Sequence, residues 1–229
     1  MRRLLPEPAD DVTVDAAYGT PLGTRSDGPW VGLCMVASID GSIAVGGTSA
    51  KLSSPTDIAV LARLRRLADV IVVGAATIRE EGYGAPQKPG QRIGVVTRSG
   101  GLDYSSDVFS SGAGFVITSR TGAPDVPTGV DVLRIGDDDV DLRAVIAALA
   151  GFAGGADYVQ VEGGAALNGA MFAADLIDEI NVTTSPATFG GSGPRLATDA
   201  SAHEHRFEAA QLAIDEQAFV YTRWLRRRD

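Results

Sequence analysis

Glu162 follows the apolar run Tyr158–Val161 and precedes Gly163-Gly164. A carboxylate at the end of a buried strand, beside two glycines, faces a cleft partly stripped of water. There it hydrogen-bonds the polar edge of a substrate, or carries a proton if its pKa is raised. Capping the helix that follows is the plainer alternative. Asp40, which ends the run Trp30–Ile39 and precedes Gly41, has two readings of the same kind: a ligand contact or an Asp-Gly turn.

Gly74-Ala75-Ala76-Thr77 follows the β-branched run Asp69–Val73, and Gly163-Gly164 leads through Ala165, Leu167 and Asn168 to Gly169. Each stretch reads as a strand, a tight glycine turn and a helix start. Free N–H groups and the positive end of the helix dipole favour an anion there, and glycine lets a phosphate come close. Two such turns in one sheet suit the two phosphates of a dinucleotide; the alternative is that glycine only permits sharp turns. Thr97-Arg98-Ser99 closes another strand with a cation between two hydroxyls, a set that suits a phosphate monoester such as the 2′-phosphate of NADPH. Taken with the glycine turns, that reading is preferred to a solvated strand end. Neither turn is a full G-x-G-x-x-G with an acid about twenty residues on, and no G-x-x-x-x-G-K-[ST] occurs, which disfavours a nucleoside-triphosphate hydrolase.

Composition narrows the partners. With 20 Lys and Arg against 29 Asp and Glu, the net charge is −9, which disfavours nucleic acid. The cluster Arg223, Arg226, Arg227 and Arg228 then reads as a solvated basic tail. Cys34 is the only cysteine, so neither an intramolecular disulfide nor a structural zinc cluster is expected. His203 and His205 read as solvated loop residues, and no metal site is expected. No run of about 18 apolar residues occurs. The start Met1-Arg2-Arg3-Leu4-Leu5 soon meets Pro6 and Pro8, so neither a membrane span nor a secretory signal is expected, and the location expected is cytoplasmic. Glycine, 28 of 229 residues, is in excess, yet 45% of residues are hydrophobic; the excess belongs to turns and close approaches of a folded chain.

The elements that must position these residues follow from the period of the apolar positions. Residues 1–29 show no sustained period and read as an N-terminal arm, with one domain over 30–229. Strands are expected at Trp30–Ile39, Asp69–Val73, Arg92–Thr97, Gly114–Thr118, Val130–Ile135, Tyr158–Val161 and Ile177–Ser185. Helices separate most of them: one opens at Ser53-Ser54-Pro55 with Ile58, Leu61, Leu64 and Leu67 at helical spacing, one follows Gly74, and others span Leu142–Ala150 and Ala165–Ala174. Such alternation indicates an α/β fold with a largely parallel central sheet flanked by helices. Phe207–Ile214 and Phe219–Leu225 supply an antiparallel C-terminal edge. Ligands of such sheets lie beyond the carboxyl ends of the strands.

Together, Ser38-Ile39-Asp40-Gly41, Ser53-Ser54, the stretch Asp69 to Gly74-Ala75-Ala76-Thr77, Glu162-Gly163-Gly164 and Pro186 through Gly190-Gly191 resemble the reductase domain of bacterial RibD. The resemblance spans roughly residues 30 to 225, and the stretch Glu81-Gly82-Tyr83-Gly84 resembles the stand-alone actinobacterial type. It implies a dihydrofolate reductase-like fold, NADPH as hydride donor and a homodimer. It places Ser53, Ser54, Gly74, Thr77 and Glu81 along the cofactor and Thr97, Arg98 and Ser99 near its 2′-phosphate. Gly163, Gly164, Ala165, Leu167 and Asn168 would surround the pyrophosphate. Glu162 takes the active-site glutamate position, and Asp40, Arg65 and Lys88 fall on the substrate side.

The activity implied is reduction of the ribosyl group of a riboflavin-pathway 5-amino-6-ribosylamino-pyrimidine 5′-phosphate, with hydride going to C1′ and the proton coming from Glu162 or water. Dihydrofolate or another pteridine, held by Asp40 or Glu162, is the alternative substrate. A catalytically inactive nucleotide-binding regulator is the alternative from another class. Departures from the pattern fall on the substrate side: Asp-Gly-Lys is Asp40-Gly41-Ser42, a tryptophan position falls near Lys51, and Lys88 stands for a terminal arginine as a point charge in place of a fork.

Overall fold

The computed structural model describes residues 1–122, 125–152, 155–198, 201 and 204–228; His203 lies outside them. In chain order the elements are β1 (Arg2–Leu5), α1 (Val14–Ala17), β2 (Trp30–Ser38), α2 (Pro55–Leu67), β3 (Val70–Gly74), α3 (Ala75–Glu81), β4 (Arg92–Val96), α4 (Asp107–Ser110), β5 (Gly114–Thr118), β6 (Asp131–Arg134), α5 (Leu142–Leu149), β7 (Tyr158–Val161), α6 (Ala165–Ala173), β8 (Glu179–Ser185), β9 (Phe207–Ile214) and β10 (Val220–Arg226). The strands form one ten-stranded sheet in the order β1-β9-β10-β8-β2-β7-β3-β4-β5-β6. From β8 to β6 every neighbouring pair is parallel. β10 runs antiparallel to β8 and β9, and β1 antiparallel to β9.

β3 shows why the β-branched runs form the centre. Val70 and Val72 enter the core cluster that includes α5 and α6, while Ile71 and Val73 enter the cluster on the other face with Ile78, Val108 and Phe109. A strand covered by helices on both faces needs apolar residues at every position. Each fully buried Val or Ile stabilises the fold by about 1.5–3 kcal/mol. A third cluster, with Tyr18, Val60, Leu64, Ala213 and Tyr221, ties α1 and α2 to the antiparallel edge.

Within the stretch read as an arm, Arg2–Leu5 form the edge strand β1 and Tyr18 is 1% exposed in the core; four residues are too few to display a period. Two expectations are corrected. The C-terminal arginines do not make a solvated tail. Arg223 is 4% exposed, pairs with Glu179 and donates to the Ala17 and Thr20 carbonyls, and Arg226 and Arg228 pair with Asp175 and Asp178. His205 is not a solvated loop residue: its side chain is largely buried and Nε2 lies 2.8 Å from the Phe172 carbonyl. No described helix is long and apolar enough to cross a membrane.

The connectivity locates the site. The chain steps outward from β3 through β4 and β5 to β6, returns through α5 to place β7 between β2 and β3, and then crosses to β8 on the far side of β2. The direction of winding therefore reverses around β2 and β7, and a crevice opens at the carboxyl ends there.

Candidate active site

Glu162 emerges at that reversal. Its backbone N–H donates to the Val72 carbonyl at 3.0 Å, which holds it at the end of β7 beside β3. Its carboxylate is 6% exposed and accepts four hydrogen bonds. Arg65 donates from Nε to Oε1 at 2.8 Å and from Nη2 to Oε2 at 2.6 Å. The Tyr83 hydroxyl donates to Oε2 at 2.6 Å and the Gln160 amide to Oε1 at 2.7 Å. The Arg65 guanidinium also lies 4.8 Å from the centre of the Tyr83 ring, within cation–π distance. Burial opposes the Arg65 charge, but the hydrogen bonds and charge of Glu162 outweigh it and push its pKa up. Burial, and next the negative charge of Glu162, push the Tyr83 phenol well above its ordinary value, so it keeps its proton and serves as a hydrogen-bond donor to Glu162.

A cavity of about 670 Å³, within the usual range for small-molecule sites, lies over this cluster. One of its walls is α2. Ser54 caps that helix, accepting from the Asp57 N–H at 3.1 Å, and Pro55 occupies the first turn. Asp57, Leu61 and Arg65 recur every four residues, so one face of α2 presents all three to the cavity. Asp57 was missed in the sequence, although it stands at helical spacing from Arg65, which the resemblance singles out. Burial pushes its carboxyl pKa up, against the opposing hydrogen bonds of Ser53 and Thr183. Tyr83 was quoted for its motif and given no role. It reaches the site because Gly82 ends α3 in the left-handed region, at φ 61°, and this turns the chain back over the cavity.

The glycine turns form the other wall. Gly74 and Gly164 are the N-cap residues of α3 and α6, and neither helix has a side-chain cap hydrogen bond or an acid in its first turn. By contrast α1, α2 and α5 are capped by Thr13, Ser54 and Asp141. The turns touch: the Gly74 N–H donates to the Gly163 carbonyl at 2.7 Å. A Cβ on Gly164 would stand 3.0 Å from Thr77 Oγ1, so the backbone approaches where a side chain would crowd. Ala76, Thr77, Gly164 and Ala165 line the cavity, as do Ser53, Ser54 and Glu81. Open helix N-termini beside glycine fit a phosphate-bearing cofactor such as NADPH. The two serine hydroxyls have further duties: Ser53 donates to Asp57, and Ser54 lies 3.3 Å from the Tyr221 hydroxyl. Glu81 accepts from the Ser49 N–H at 2.7 Å.

Several expected site residues lie elsewhere. Lys88 donates to the Ala68 carbonyl at 2.8 Å and to Asp69 at 3.1 Å, placing its charge at the C-terminal end of α2, where the helix dipole favours a cation. Asp40 accepts from the Ser38 hydroxyl and from the N–H groups of Phe189 and Gly190, so it fastens the 189–190 turn. The Ser38 hydroxyl, followed by the Gly190 N–H, holds its carboxyl down to about 2. Leu167 belongs to the main core, and the Asn168 side chain donates to the Leu196 carbonyl at 2.7 Å. Thr97, Arg98 and Ser99 follow β4, whose Val96 pairs with Gly74, one strand away from the cavity lining. Thr97 is buried and bonded to the Gly100 N–H, while Arg98 is exposed and pairs with Asp139 at 3.0 Å.

The architecture and the crevice define a dihydrofolate reductase-like α/β domain. The dihydrofolate reductase of Enterococcus faecalis, solved in complex with NADP(H), superposes with a TM-score of 0.51 at 18% identity, over 87% of this chain and 97% of that one. A pyrimidine reductase-like protein from Corynebacterium diphtheriae superposes with a TM-score of 0.80 at 24% identity, over 95% of this chain and 100% of that one. Residues 29–219 match the model of the RibD C-terminal domain, and the chain belongs to that family. It is 27% identical over 199 residues to the 2,5-diamino-6-ribosylamino-4(3H)-pyrimidinone 5′-phosphate reductase of Methanothermobacter thermautotrophicus, covering 81% of this chain and 91% of that protein.

Proposed function

We propose that the chain is an NADPH-dependent oxidoreductase that reduces a riboflavin-pathway 5-amino-6-ribosylamino-pyrimidine 5′-phosphate at C1′ of its ribosyl group. Reductase relatives and the family support the class of reaction. The observation that carries the reading is the buried Glu162–Arg65–Tyr83 cluster set against two uncapped helix N-termini in one cavity.

In the ring-opened imine form of the substrate, hydride adds to C1′ and a proton adds to the nitrogen, giving the ribitylamine. NADPH, when bound, supplies the hydride and leaves as NADP⁺. Glu162 already accepts four hydrogen bonds, so in this reading its part is that of a fixed negative charge beside the reacting carbon, and water supplies the proton. Arg65 and Tyr83 hold Glu162 in place. Arg98 reads the cofactor 2′-phosphate, exchanging a solvent-exposed pair with Asp139 for it.

Asp57 favours a second reading. A carboxyl with a raised pKa, on a cavity wall shared with Ile58 and Leu61, suits the amino-pyrimidine edge of a pteridine better than Asp40, whose oxygens are committed to the 189–190 turn. Steady-state oxidation of NADPH with each substrate separates the readings. Turnover of the ribosylamine is expected; turnover of dihydrofolate alone selects the second reading. Oxidation with either excludes an inactive regulator. We propose a homodimer in line with the resemblance, to be checked by sedimentation.

A further inference from the structure

Arg195 follows Pro194, which lines the cavity, and is itself exposed, so it stands at the mouth. Among the described residues, no hydrogen bond or ion pair holds its guanidinium. Its stem lies over Gly41, where a Cβ would stand 3.6 Å from Arg195 Cδ. The backbone on either side is fixed. The Pro194 carbonyl accepts from the Ile43 N–H at 3.0 Å, and the Leu196 carbonyl accepts from the Asn168 side chain at 2.7 Å. Asp40, the acid next to Gly41, is engaged by the Ser38 hydroxyl and by the N–H groups of Phe189 and Gly190. The charge of Arg195 is therefore presented from a rigid loop and left for a ligand.

Other cations near the cavity are committed or less suited to a phosphate. Arg65 directs Nε and Nη2 at Glu162 and lays one face on Tyr83. Lys88 is held by the end of α2 and by Asp69. Ser42, where the resemblance has a lysine, is buried and donates its hydroxyl to the Ala44 carbonyl. Lys51, beside Ala50 of the lining, is exposed. Its ammonium is a point charge, whereas a guanidinium meets two phosphate oxygens at once.

We propose that Arg195 reads the 5′-phosphate of the substrate at the mouth of the cavity, while the reacting C1′ lies inside, beside Glu162. The proposal rests on the reductase reading above and names a specificity residue for it. A cation from the loop after β8 takes over from the positions of Ser42 and Lys88. Binding of the ester at this remote end positions the reacting carbon, so its loss is read in kcat/KM.

The test compares kcat/KM for the ribosylaminopyrimidine 5′-phosphate with that for the same compound after phosphatase treatment, using the full chain and saturating NADPH. In Arg195→Ala the preference for the phosphate ester should fall by about tenfold or more relative to wild type. A smaller fall, including equal losses with both compounds, overturns the proposal. So does a larger fall in Lys51→Ala than in Arg195→Ala. A Kd for NADPH raised by about tenfold in Arg195→Ala would put the guanidinium on a cofactor phosphate and also overturn it. Calorimetry of the two ribitylamino products in the presence of NADP⁺ reads the same comparison without turnover, with the same tenfold boundary for Kd. If wild type binds NADPH but neither form reacts nor binds, the ribosylaminopyrimidine reading itself falls and the proposal with it. The other adverse outcomes strike the proposal alone.

Discussion

At one end of the cavity, backbone donors are left open; at the other, every side-chain donor facing Glu162 is already in use. The N-termini of α3 and α6 carry no side-chain cap, and their glycine turns touch through the Gly74–Gly163 hydrogen bond. Around Glu162, two N–H groups of Arg65, the Tyr83 hydroxyl and the Gln160 amide converge on a single carboxylate. Unsatisfied N–H groups attract an anion, whereas the Glu162 carboxylate, with four donors on it, is a fixed negative charge whose lone pairs are in use. One cavity is thus divided into an end of open backbone donors, where we propose the cofactor, and an end built around the buried Glu162 carboxylate, where we propose the substrate.

If the ends are separate, damage to one should spare the other. Glu162→Gln leaves Arg65 partly buried without its counter-charge, a loss of the kind that costs about 3–5 kcal/mol. We expect kcat to fall by about a hundredfold or more, with the Kd for NADPH within about threefold of wild type. Equal damage to both would break the division. Tyr83→Phe removes one hydrogen bond to a charged group, worth about 1.5–3 kcal/mol. It should lower kcat about tenfold, again without a change in NADPH affinity; steady-state kinetics paired with fluorescence titration reads both. At the cofactor end, Arg98→Ala should weaken NADPH by about tenfold and leave NADH nearly unchanged. Its pair with Asp139 is exposed, so little stability goes with it. Equal losses for the two cofactors would remove Arg98 from the 2′-phosphate.

The smallest effect concerns Asp40, outside both ends. Its folded pKa is lowered to about 2, against about 3.9 in an unfolded chain. Its contribution is therefore complete above about pH 4 and is lost as pH falls through about 2. Urea unfolding of wild type and Asp40→Asn should show wild type ahead at pH 5 and the two converging towards pH 2. A difference constant with pH would mean that the carboxylate charge does not hold the 189–190 turn.

The elements of the proposed cofactor end were largely legible in the sequence because their signals are local. A β-branched strand, a glycine turn and a helix start follow one another within a dozen residues, so Thr77 and Gly164 line the cavity and Gly74 is the N-cap of the helix beside them. The substrate end depends on long-range partners. Lys88 and Asp40 have suitable charges in suitable stretches, yet a helix C-terminus and a distant turn claim them. Asp57 was within reach, since helical spacing alone aligns it with Leu61 and Arg65. Tyr83 was not, because its place depends on the path of a loop after the left-handed Gly82. The buried arginines of β10 show the same limit: Arg223 faces Glu179 across the antiparallel edge, a pairing that charge clustering does not reveal.

The division of the cavity is tested most directly by titrating the full chain with NADPH and with NADH. Open helix N-termini joined by glycine, with Arg98 one strand away, predict a micromolar Kd for NADPH and weaker binding of NADH. Failure of both to bind below about millimolar would contradict the assignment of that end to a cofactor.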